Sequence, residues 1–208
     1  YINIYYKMPY YRDVNVLFIH IPKTGGSVIE NQIKSLYKQE LYSGWSNKLL
    51  DSPYNKISLQ HQFYSTIYEN KNKLNIRFDK DIKIFTVVRN PYDRIMSDLI
   101  FLNFIKNPKS ITPDEVYKII KYKYLDKHMW KAIHIDNHNR PQYMFVTDKN
   151  SKLIPNLKVF RCEKLNESND ELNEFLGFNI NIKKRARHIN KDYSKYLNKD
   201  FILLINEY

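Results

Sequence analysis

Cysteine is almost missing from this chain of 208 residues: Cys162 stands alone, so no internal disulfide can form. That suits a reducing compartment and favours the cytoplasm. A start at Tyr1 rather than Met leaves the Golgi lumen as the other expectation, for a chain that has lost an N-terminal anchor. No run approaches the roughly 20 apolar residues of a membrane span, and no signal-peptide pattern is present. Alanine occurs only at Ala132 and Ala186 while Asn, Ile and Tyr are abundant, so part of the lysine excess reflects an AT-rich coding bias. Glycine is scarce as well, and half of it is spent at one turn. The chain has four, and two of them are adjacent, Gly25-Gly26.

The residues that are abundant describe a folded protein. Hydrophobic residues make up 43% and charged residues 27%, a globular composition, and the length suits one domain over residues 1–208. The net charge of +12 favours anionic partners: a nucleotide, a nucleic acid, an acidic glycan or an acidic membrane surface. Charge alone does not choose among them.

Gly25-Gly26 sits in Pro22-Lys23-Thr24-Gly25-Gly26-Ser27, directly after the strand-like run Val16-Leu17-Phe18-Ile19-His20-Ile21. Glycine lets backbone N–H groups approach a ligand, and a turn that opens a helix aims them at an anion. Lys23 adds a positive charge, and Thr24 and Ser27 add hydroxyl donors. The turn is therefore a candidate phosphate cradle. It is not a Walker A loop, because Lys23 precedes both glycines, and no acidic strand end downstream offers a Mg²⁺ ligand.

After the loop, Ile29, Ile33 and Leu36 share one face of a helix. Residues 42 to 54 read as loop. Ile82 through Val88 is a β-branched strand ending at Arg89-Asn90-Pro91, and a largely buried helix follows to about residue 105. Thr112-Pro113-Asp114-Glu115 is a capping box, and Ser168-Asn169-Asp170-Glu171 reads as a second. Gln142 through Val146 and Leu157 through Cys162 read as short strands. Alternating strands and helices predict an α/β fold, P-loop-like and three-layered, with a mainly parallel central sheet flanked by helices. Ligands of such sheets bind at the carboxyl ends of strands, which puts Lys23 and Arg89 on one edge.

The second segment, Arg89-Asn90-Pro91-Tyr92-Asp93-Arg94-Ile95-Met96-Ser97, offers a guanidinium fork and, two turns later, a hydroxyl. Together the two segments resemble the sulfotransferase superfamily that uses 3′-phosphoadenosine 5′-phosphosulfate (PAPS), and most closely its carbohydrate branch with the heparan 2-O-sulfotransferases. The resemblance implies that Lys23, Thr24, Gly25, Gly26 and Ser27 hold the 5′-phosphosulfate, and that Arg89 and Ser97 hold the 3′-phosphate. Residues 141–146, 157–165 and 188–190 look like later landmarks of that branch. Two departures stand out: the branch has a His-x-His pair where this chain has Leu59-Gln60-His61, and its cysteine bridges have no counterpart here.

The resemblance further implies transfer of sulfate to an acceptor hydroxyl, on a saccharide, with PAP as product, no metal and no nucleic-acid partner. His61 falls in the family's catalytic histidine region and is the expected general base, with Lys23 the other catalytic residue. Arg185 or Arg187, in the basic run 183–188, would reach the nucleotide from a closing loop. Trp45 and Trp130 are candidates to stack on a sugar. His20, inside the first strand, reads as a packed core residue, and His134 and His138 find no nearby Cys or carboxylate set for a metal. Two other classes stay open: a nucleotide or small-molecule kinase, and a non-catalytic polyanion-binding module on this fold.

Overall fold

The computed structural model describes residues 8–37, 57–126, 136–182 and 193–208. Its sheet has four strands in the order β1 (Tyr10–Tyr11), β2 (Val16–Ile19), β3 (Lys83–Val88) and β4 (Leu157–Arg161). The short edge strand β1 pairs antiparallel with β2, whereas β2, β3 and β4 run parallel. Parallel strands are covered on both faces, and the register shows how. Leu17, Ile19 and Ile84 face one apolar cluster with Leu59, Phe63 and Phe145. Val16, Phe18, Phe85, Val87 and Phe160 face the other, under helices α1 (Gly26–Leu36) and α5 (Asn169–Leu176). This is the α/β architecture expected.

A third cluster joins α3 (Pro91–Phe101), α4 (Pro113–Ile119) and α6 (Lys199–Glu207), with Met96, Leu99, Val116, Ile120 and Phe201 at its centre. The short α2 (Tyr64–Glu69) lies on the first cluster. The predicted Thr112 cap forms, and α3 adds a second cap at Asn90. The Asn90 side chain accepts from the Tyr92 and Asp93 N–H groups with Pro91 opening α3, and Thr112 and Glu115 bond each other reciprocally. Among the described residues no helix is long and apolar enough to cross a membrane.

Four local expectations are corrected. Residues Gln142–Phe145 form a 3₁₀ turn, not a strand, and the Gln142 amide is engaged with the Arg89 backbone instead of a ladder. Ser168 makes no side-chain cap: its ψ of 9° continues the preceding turn, where an extended backbone is needed to aim its Oγ at the N3 amide. Helix α3 stops at Phe101, and the Leu102 amide bonds the Asp98 carbonyl. Leu36 is exposed, because α1 ends there and Tyr37 turns to Phe178.

Candidate active site

Strands β2 and β3 are parallel neighbours, so their carboxyl ends deliver the segments after Ile19 and after Val88 to one edge. Lys23 takes a left-handed backbone (φ 66°), rare for a residue with a Cβ, and Gly25 another (φ 89°). Thr24 is buried and spends its hydroxyl on the Ile21 carbonyl at 2.8 Å, fixing the turn. Helix α1 then begins with no side-chain cap and no acidic residue in its first turn, while Ser27 is exposed. Its leading N–H groups and positive dipole end are thus offered outward.

The two glycines serve different ends. Gly25 supplies the left-handed angle, but a Cβ on Gly26 would lie 2.5 Å from the His20 ring and 2.8 Å from Phe18. Gly26 is glycine because the loop rests directly on His20, not because a ligand must approach it.

Arg89 is buried and donates from Nη1 to the Lys23 carbonyl at 3.2 Å, so the two residues are neighbours at this edge. Its backbone is locked both ways by Gln142, at 2.9 and 2.8 Å. Tyr193, which nothing in the local sequence announces, sits beside them: the Arg89 guanidinium lies 5.9 Å from its ring centre, and burial raises its pKa while Arg89 and Ser97 oppose the rise. Lys23 Nζ lies 3.8 Å from the centre of the Phe101 ring. Burial pulls its pKa below the ordinary lysine value, Asp98 opposes this, and Arg89 adds to it. The buried Arg94 donates to the carbonyls of Pro22, His138 and Arg140, at 2.7 to 2.9 Å, and so staples the loop to the segment carrying His138.

Against this electropositive loop stands a row of imidazoles, each held by its own carboxylate. His20 Nδ1 meets Glu30 at 2.8 Å, His61 Nδ1 meets Asp136 at 2.7 Å, and His138 Nδ1 meets Asp98 at 2.6 Å. Gln60 bonds both His20 and Glu30. Asp136 also accepts from the Ser58 amide and hydroxyl, and Asp98 from Tyr124. Edge-to-face contacts of 5.1 Å link His20 to His61 and His61 to His138. The row continues inward through Phe18 to Phe85 and outward through Phe101, stacked on His138 at 5.5 Å. Six rings thus run from the centre of the sheet to a Phe101 that is 59% exposed.

His61 is buried, and burial drives its pKa down to about 4 against the opposing pull of Asp136, so the ring is neutral at physiological pH. Asp136 and Asp98 are both held below the ordinary aspartate value by their histidine partners, overcoming burial. The His61 Nδ1–H is committed to the Asp136 carboxylate, which leaves its Nε2 as the lone-pair nitrogen. A neutral imidazole oriented by a carboxylate is a proton acceptor.

Of the residues expected from sequence, Lys23, Thr24, Gly25, Gly26, Ser27, Arg89, Ser97 and His61 lie along this one edge. Arg185, Arg187, His134, Trp45 and Trp130 lie outside the described residues. The carboxylates that seemed missing near His138 arrive from Asp98, 40 positions away, and through His61 from Asp136. His61, Asp136 and His138 bring ligating atoms within 4.8 Å of one another, although Asp136 already serves His61 and Ser58.

A protein-family model described as the sulfotransferase family matches residues 10–201. Comparison with curated proteins and with solved structures returns no match.

Proposed function

The chain belongs to the sulfotransferase family, and from that premise we propose that it transfers a sulfuryl group from PAPS to a hydroxyl of a saccharide, with His61 as general base. One observation carries the reading. His61 lies between two rings that both lead to the anion loop: His20, on which Gly26 rests, and His138, stacked on the Phe101 that Lys23 covers. This chain of contacts between the proposed base and the proposed cradle supports the reading.

The residues fit a doubly phosphorylated nucleotide. The uncapped first turn of α1 with Lys23 suits the phosphosulfate, and the cluster of Arg89, Ser97 and Tyr193 suits the second phosphate. PAPS, when bound, supplies the sulfuryl group, and the acceptor oxygen gains the bond to sulfur that the adenosine phosphate gives up. At this edge Lys23 and the N–H groups of Thr24 to Ser27 take up the negative charge left on that phosphate. One well-aimed donor of this kind is worth about 3 kcal/mol. The acceptor's proton passes to His61 Nε2, and Asp136 stabilises the imidazolium that results.

The test is incubation with sulfur-labelled PAPS and a panel of glycan, peptide and small-alcohol acceptors, with His61→Ala as control. Label on the glycans, lost in the variant, is expected. Mg²⁺-dependent ATP binding indifferent to a 3′-phosphate would instead support a kinase.

A further inference from the structure

Arg94 has no part in the chemistry assigned above, yet it is buried between two segments that do. A guanidinium is harder to bury than an apolar side chain of similar volume, so its role lies in what it holds. It holds three carbonyls: Nε donates to Pro22 at 2.9 Å, Nη2 to His138 at 2.7 Å and Nη1 to Arg140 at 2.9 Å, from 44 to 72 positions away.

On the loop side, three successive carbonyls are claimed by side chains. Ile21 accepts from Thr24 Oγ1 at 2.8 Å, Pro22 from Arg94 at 2.9 Å, and Lys23 from Arg89 at 3.2 Å. A trans peptide unit is planar, with its N–H directed opposite to its C=O. A carbonyl drawn towards a guanidinium therefore turns the following N–H away from it. Arg94 sets the Lys23 amide in this way and Arg89 the Thr24 amide, and together they bracket the left-handed Lys23 (φ 66°). Such a backbone persists where its surroundings hold it.

On the other side, Arg94 fixes the main chain just past Asp136, the partner of His61. Asp98, one turn along α3, takes the His138 ring at 2.6 Å, so this segment is pinned to α3 through both its backbone and a side chain.

We propose that Arg94 is a positioning residue: its fork sets the Lys23 turn in the orientation that receives the donor's phosphate, and fixes that turn against the segment carrying Asp136 and His138. This rests on the sulfuryl-transfer reading and adds to it a residue that touches neither donor nor acceptor. Lysine keeps the charge but offers one nitrogen in place of the planar fork.

The experiment compares Arg94→Lys and Arg94→Met with the unmodified protein, by labelled-sulfate kinetics and PAP calorimetry, well below each melting midpoint. Both variants are expected to lose about tenfold or more in PAP affinity and about 100-fold in kcat, as a misplaced loop does. Lysine should do no better than methionine within about threefold. In a Lys23→Ala background the further loss of kcat from Arg94→Lys should shrink to about tenfold or less, because the two act through one turn. PAP affinity and kcat of Arg94→Lys within about twofold of the unmodified protein, or fully additive losses, overturn the inference and leave sulfuryl transfer standing. If the variants do not fold, NMR of the unmodified protein decides. The Arg94 Nε–H should be protected from exchange and should shift when PAP is added, whereas rapid exchange or an unmoved resonance overturns the inference. PAP binding that needs Arg94 but is accompanied by no sulfate transfer keeps the positioning role and overturns the sulfuryl-transfer reading. No PAP binding by the unmodified protein overturns both.

Discussion

The candidate site has two walls built on opposite plans. The anion wall is local: Lys23 through Ser27 are consecutive, Lys23 carries the charge and Ser27 is exposed, and Arg89 joins them from the adjacent strand tip. The imidazole wall is assembled from β2, the turn Leu59–His61, α3 and the segment around Asp136–His138, and it is buried. Each imidazole is set by a carboxylate from 10 to 75 positions away. One wall is preformed by backbone geometry and the other by long-range side-chain pairs, so damage to each should read out differently.

The largest effect is expected on the imidazole wall. His61→Ala should lower kcat about 10²–10⁴-fold while PAP affinity stays within twofold, measured by labelled-sulfate kinetics and calorimetry. On the anion wall, Lys23→Ala should cost about 10²–10³-fold in kcat and, unlike the first variant, also weaken donor binding. Equal loss of donor affinity in both would erase the distinction between the walls.

Acid separates them again. With His61 near 4 in the folded chain and about 6.5 unfolded, the unfolded state carries the extra proton between those values. Stability therefore rises with pH across that window and is lost on acidification, by roughly 3 kcal/mol for this one group. Asp136 and Asp98, held low in the fold, add to the loss at still lower pH. A melting-temperature series from pH 7 to 4 checks this, and His61→Gln should flatten its upper part. The rate should likewise hold level through neutrality and fall on the alkaline side below the usual lysine range, as Lys23 deprotonates.

Gly26→Ala presses a methyl group onto His20 and should lower stability by about 1–3 kcal/mol, read as a shift in thermal midpoint. Smallest of all, Phe101→Leu removes the ring under Lys23. It should reduce kcat by about two- to fivefold, in keeping with an exposed cation–π contact of about 0.5–1 kcal/mol.

The anion wall was legible in the sequence because its chemistry needs neighbours: a strand, a lysine, paired glycines and a helix in that order. The same holds for Thr112, whose cap acts within one turn. The imidazole wall was only half legible. His61 emerged from family likeness, but its partner Asp136, the whole His138–Asp98–Tyr124 set and Tyr193 depend on pairings that periodicity does not encode. Arg94 and Asp98 read as ordinary charged positions of a helix, yet both are buried against the loop and the imidazoles. Gln142–Phe145 was misread for the opposite reason: its apolar residues suit a strand, and only the distant Arg89 backbone claims Gln142.

Neighbouring rings in the file from Phe85 to Phe101 lie 4.6 to 5.5 Å apart, centre to centre. Thickening or thinning any member presses on those on either side, so drift in the hydrophobic interior reaches His61 and His138. Changes that retune which alcohol is chosen should then arise as readily from an interior phenylalanine as from the candidate site itself, which yokes the divergence of specificity to the repacking of the sheet.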